Sequence, residues 1–155
     1  MSFGVEVTGV KETEEALKLT GEKIKLGADN GLFKAGLLIQ RESQLKTPVD
    51  LGNLKASAFT ISVRVAHSQP FPNFDGEDAG EMTSDHIETL AEAKRDIIKD
   101  DDPKVIVGHS ANYALYVHEG VGNHTVGENK FLEKALMENQ FVVGKEVSKE
   151  VKKKL

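Results

Sequence analysis

Apolar and polar positions change period several times along this chain, and each change marks a boundary. Phe3-Gly-Val-Glu-Val-Thr-Gly alternates with period two, which predicts a strand over residues 3–9. From residue 11 to 26 the pattern turns helical, with Ala16, Leu17, Ile24 and Leu26 forming a thin apolar stripe among Glu and Lys. Asp29 or Asn30 offers an N-cap for a second helix running to about Lys46. The first half of that helix (Leu32, Phe33, Ala35, Leu37, Leu38, Ile39) is apolar on more than one face, as in a helix held between layers. Its second half is polar, as if it projected beyond the core.

Pro48 forces Thr47 out of the α region, so the helix must stop there. Asp50 can satisfy backbone donors of the next turn, and Gly52 accommodates a positive φ. Residues 59–66 alternate again and predict a strand with one buried face. Over residues 67–83 the residues Pro70, Pro72, Gly76 and Gly80 interrupt every period, which predicts a flexible loop. Ser84 or Asp85 can cap a helix to about Lys99, faced by Ile87, Leu90, Ala91, Ala93, Ile97 and Ile98. A short strand over 104–108 follows the break at Pro103, and Tyr113, Tyr116 and Val117 are spaced for one helical turn. Residues 129–152 carry Leu132, Leu136, Val143, Val147 and Val151 on one stripe, and the closing lysines suit the negative end of a helix. Few strands and several helices without βαβ alternation predict an α+β domain. It has a small antiparallel sheet with long helices packed on one face, and a loop plus acidic helix (67–103) inserted between strands.

At 155 residues the chain is expected to form a single domain, 1–155. It has no cysteine, so disulfides and thiolate metal sites are excluded. The N-terminus has neither the basic nor the apolar region of a secretory signal, and no apolar run approaches the ~20 residues that cross a bilayer. A formal charge of −5 argues against gripping nucleic acid over a broad face.

Two segments carry the most information. The first, Thr47-Pro-Val-Asp-Leu-Gly-Asn-Leu54, is followed by Ser57; the second is Tyr113-Ala-Leu-Tyr-Val-His-Glu-Gly120. In order, with Phe131-Leu132 opening the last helix, they resemble the head–tail connector (neck, tail-completion) proteins of tailed bacteriophages, the group typified by the tail component of phage HK97. The usual form of that group, Thr-Pro-Val-Asp-Thr-Gly-x-Leu-x-x-Ser, is matched at Thr47, Pro48, Val49, Asp50, Gly52, Leu54 and Ser57, and Leu51 departs from it. Tyr-Ala-x-Tyr-Val-Glu-x-Gly is matched at Tyr113, Ala114, Tyr116, Val117 and Gly120, with His118 in place of the acid and Glu119 one step later. The order covers the chain from about residue 30 to 140.

The resemblance implies a structural virion protein without enzyme activity. It would form a homo-oligomeric ring that joins the head, through portal and adaptor (head-completion) proteins, to the tail tube or its terminator. DNA would pass through the lumen without specific binding. The location implied is the head–tail junction of the virion, with host cytoplasm during assembly. No cofactor, metal or catalytic residue is implied, and the motif residues with Phe131 are the assembly candidates.

Other chemistries are weaker. Residues 75–102 hold eleven acidic against three basic side chains, but without the fixed offsets and tight turn of a calcium loop. In the resemblance reading, such a stretch lining a lumen would repel phosphates. His118 and His124 flank a glycine-rich turn without His-x-x-x-His or His-Glu-x-x-His spacing. Gly122 and Gly127 have the spacing of a phosphate loop, but Glu128 and Asn129 stand where Lys and Ser or Thr are required. Ser43-Gln-Leu-Lys46 matches a Ser-x-x-Lys nucleophile box without its companion motifs. Tyr113 and Tyr116 suit core packing and subunit contact equally. The alternatives are a small metal-dependent hydrolase or nuclease, drawing on the acidic cluster with His109, His118 or His124, and a cytoplasmic binding module.

Overall fold

The computed structural model describes residues 8–49, 52–65, 70–99, 101–120 and 126–155. The strand expected over 3–9 falls almost wholly outside them, as do Asp50, Leu51 and His124. Within the described residues the order is α1 (Val10–Lys46), α2 (Asn53–Ala56), β1 (Ala58–Ser62), α3 (Ala79–Ile97), β2 (Val105–His109), α4 (Ala114–His118) and α5 (Phe131–Lys152). The fold is α+β, as expected. β1 and β2 pair antiparallel, with Phe59 opposite Gly108 and Ile61 opposite Ile106.

The two helices expected before the corner are one helix of 37 residues. Asp29 is not an N-cap. Its carboxylate is fully buried and its Oδ2 accepts a hydrogen bond from Arg64 at 2.5 Å, so a residue 35 positions away partners the group that the local pattern assigned to the backbone. With no cap to end the first segment, the α ladder runs through residues 28–30. Gly9 at φ 83° starts α1, and the Thr13 N–H donates to its carbonyl at 3.1 Å.

Small residues on α1 determine what packs on it. A Cβ on Gly27 would lie 2.7 Å from Val151 Cα, and one on Gly31 2.5 Å from Val147 Cα. The backbones of α1 and α5 therefore touch, and the pairing of 27 with 151 and 31 with 147 makes the helices antiparallel. On the opposite side of α1, a Cβ at Gly36 would lie 2.8 Å from the methyls of Thr60 and Val105, so the sheet seats there. The other face of the sheet turns Phe59 and Ile61 into a cluster with Ala93 and Ile97 of α3. The sheet is thus covered on both faces, not on one. The order of layers is α5, α1, sheet, α3.

Helix α3 starts at Ala79, earlier than the cap expected at Ser84 or Asp85: the Thr83 and Ser84 hydroxyls donate back to the Ala79 and Gly80 carbonyls, at 2.7 and 3.2 Å, as residues inside a helix do. One exposed member of the acidic stretch is tied to the body of the fold by ion pairs. Asp101 pairs with Lys25 at 2.6 Å and with Arg64, joining α1, the end of β1 and the approach to β2.

Candidate functional site

The corner, α4 and the start of α5 meet around one side chain. Phe131 is 1% exposed and packs with Leu54, Phe74, Met82, Ala111 and Ala114, while Val117 and Leu132 border the cluster. Two imidazoles stand edge-on to its ring, His109 at 5.0 Å and His118 at 4.9 Å between centroids. Lys130, at φ 52°, aims Phe131 inward, and its N–H donates to the His118 carbonyl at 2.6 Å.

Thr47 and Pro48 are buried at the end of α1. The Thr47 hydroxyl and N–H both donate to the Ser43 carbonyl, at 2.8 and 2.9 Å, closing the last turn as the proline requires. Gly127 lies against this corner: with φ +92°, a Cβ there would be 2.4 Å from Pro48 Cα. The Glu128 N–H reaches the Lys46 carbonyl at 2.7 Å, satisfying another terminal acceptor of α1. Gly52 has φ 85° with open space around it, as its expected role requires. Gly120, at φ +83°, packs on Asn129.

Beneath the corner, Asn53 Nδ2 donates to the Asp75 carbonyl at 2.7 Å while its Oδ1 accepts from the Asp75 N–H at 2.8 Å, imitating a strand pair. The Ser57 hydroxyl donates to the Leu54 carbonyl at 2.8 Å. His109 bridges α1 and α2. Its Nδ1 donates to the Leu54 carbonyl at 2.9 Å, which leaves Nε2 to accept from the Ser43 hydroxyl at 2.8 Å. Burial holds His109 below the usual imidazole range, outweighing the opposing effect of the Leu54 carbonyl. A parallel relay runs on the other side of the sheet. His86 Nδ1 lies 2.7 Å from Ser110 Oγ, which donates to the Ser57 carbonyl at 3.3 Å. Phe59, Phe71 and Phe74 present ring edges to His86, and its burial likewise lowers its pKa.

Ser43 and His109 are spaced like a nucleophile and its base, but Ser43 has no solvent exposure. The third partner is a backbone carbonyl rather than a carboxylate, so the pair acts as a strut in this conformation. Lys46, the other half of the Ser-x-x-Lys match, pairs with Glu138 of α5 at 2.9 Å and not with Ser43. Among the described residues no group of three or more His, Asp or Glu gathers where a metal could be held.

The signature residues divide by exposure. Thr47, Pro48, Leu54 and Phe131 are buried, Val117 and Gly120 partly so. Val49, Tyr113 and Tyr116 are exposed, with Leu45 and Leu115 also turned to solvent, so the tyrosines do not serve as core. Sequence reasoning missed Ser43 and Gly127 as parts of this corner and treated His109 only as a candidate ligand. A small polar pair four apart at a helix end, Ser43 and Thr47, was the one signal available.

No family model, curated protein or solved structure matches this chain in comparison with known proteins. Among the described residues no helix is long and apolar enough to cross a membrane.

Proposed function

We propose that this chain is a structural component of a tailed-phage neck, forming a ring that joins head to tail and lets DNA pass. The observation that carries the reading is the convergence of three segments separated by up to about eighty positions. The corner at 47–54, the helix at 114–118 and the Phe131-Leu132 pair build one buried knot around Phe131. Their motif residues therefore form one unit, and the side chains left over at its rim (Val49, Tyr113, Tyr116) are exposed and amphipathic or apolar. Such residues suit contacts with neighbouring subunits.

The acidic side chains Glu81, Glu88 and Glu92 occupy one exposed face of α3. In a ring that turned this face to the lumen they would repel the phosphate backbone and leave DNA free to slide. The ring itself requires a head-to-tail contact between copies, because only a heterologous interface closes a ring of more than two.

The test is to tag the protein in purified particles of the phage that encodes it and image the tag. Signal at the head–tail junction is the expected result. Its absence from intact particles would remove the reading.

A further inference from the structure

Helix α1 outruns its partner. Helix α5 ends beside Gly27, where Val151 makes the last close backbone approach, and every residue from Thr8 to Ile24 is exposed. About 15 residues, or ~22 Å of helix, thus extend past the body. An isolated helix of that length is marginal in water, and its stability normally comes from packing an apolar face. The arm has such a face. Val10, Leu17 and Ile24 recur every seven residues, with Leu17 68% exposed, and their line continues into Gly27 and Gly31, the strip that α5 covers lower down.

A matching surface lies on the outer face of α5. Met137, Phe141, Gly144 and Ser148 follow i, i+4, i+7, i+11 spacing, and Phe141 is 83% exposed. Phe141, Gly144 and Ser148 line a shallow depression bordered by Lys145, Lys149 and Lys152. A Cβ at Gly144 would meet nothing within 4 Å, so a neighbouring side chain has room to enter. The first turns of the arm carry Glu12, Glu14 and Glu15 against one Lys, opposite in sign to this border.

We propose that the arm of one copy packs on the outer face of α5 of a second copy, antiparallel, with Leu17 over the Phe141–Gly144 dip. Helix α5 is then held between its own α1 and the arm of a neighbour. The arm cannot reach this face in its own chain. Gly144 lies level with the middle of α1, ~25 Å along the axis from Leu17. The contact joins two different surfaces, so it repeats from copy to copy. It supplies the head-to-tail interface that the neck reading calls for, but it stands on the two helix faces and not on that reading.

The chain has no cysteine, which makes the test direct. The double variant Leu17→Cys/Gly144→Cys is oxidised in solution and run without reductant, beside each single variant, with thermal melting to confirm that each folds. The expected result is a ladder of dimers, trimers and larger species from the double variant, and its loss when Phe141→Asp is added. A double variant that stays monomeric overturns the proposal. So do dimers formed by Leu17→Cys alone, which would mean that arms pair with arms. A ladder from purified protein combined with no tag at the head–tail junction of particles would keep the contact and remove the neck assignment.

Discussion

Two glycines at the corner share a positive φ but differ in what surrounds them, and their substitutions should separate accordingly. Gly52 (φ 85°) faces open space, so only backbone strain opposes a side chain there. Gly52→Asn should cost under ~1 kcal/mol, since Asn tolerates this region, and a β-branched Gly52→Val should cost about 2 kcal/mol. Gly127→Ala must also push the Pro48 backbone away from 2.4 Å, adding about 1–3 kcal/mol of overpacking. Urea denaturation of the three variants checks the ranking; equal losses at Gly52→Asn and Gly127→Ala would contradict it. The buried histidines give a second expectation at this scale. His86 and His109 both have lowered pKa values, so the unfolded chain takes up protons that the folded chain refuses. Stability should be full above the ordinary imidazole value of 6.5 and fall as pH drops below it. Carboxylate pairing predicts a separate loss further down. Lys153 and Lys34 hold the Glu150 carboxylate at about 2, against an ordinary 4.5. Its contribution is present above 4.5 and lost as pH falls toward 2. Chemical denaturation at stepped pH should show two declines, and Glu150→Gln should blunt the lower one alone.

At the scale of elements, the sequence was readable where the cause was local. The stop at Thr47 follows from Pro48, and the turn at Gly52 from the absence of a Cβ. The strand β1 falls in a stretch that alternates visibly, and β2 is a short apolar run after the break at Pro103. What could not be read was any feature fixed by a distant partner. Asp29 looks like a cap because Asp usually serves backbone donors nearby, and only Arg64 shows that it is a buried ion-pair partner. The four-residue spacing of Gly27, Gly31 and Ala35 was a signal for close helix approach that the apolar pattern concealed, since glycine does not register as hydrophobic. Gly31→Ala tests its weight. The added methyl would lie 2.5 Å from the Val147 backbone, where no rotamer can relieve it, so α5 must shift. A loss of about 1–3 kcal/mol is expected despite the better helix propensity of alanine, which alone would stabilise by about 1 kcal/mol. A gain in the urea midpoint would show that the two helices do not touch at this position.

For the whole molecule, the candidate site was legible as a set of motif residues and not as a place. The knot around Phe131 depends on Gly127 approaching Pro48 and on the Glu128 N–H reaching Lys46, contacts made across eighty positions with no periodic trace. The same holds for the layer order, which the apolar first half of the second expected helix hinted at but could not orient. The division of labour between body and arm follows from these contacts. Among the described residues all the clusters of buried side chains, both histidine relays and the α1–α5 crossing lie at or beyond Gly27, and the first ion pair of α1 with the rest of the fold is Lys25 with Asp101. Removing residues 1–22 should therefore leave the thermal midpoint within about 4 °C of the full chain, the shift that roughly 1 kcal/mol produces in a domain of this size. The same truncation should abolish any self-association seen by sedimentation at high concentration, because it removes Val10 and Leu17 while leaving Phe141 in place. A large fall in the midpoint would mean that the arm folds back and supports the body. An unchanged association would mean that copies meet through the rim at Tyr113 and Tyr116 and not through the arm.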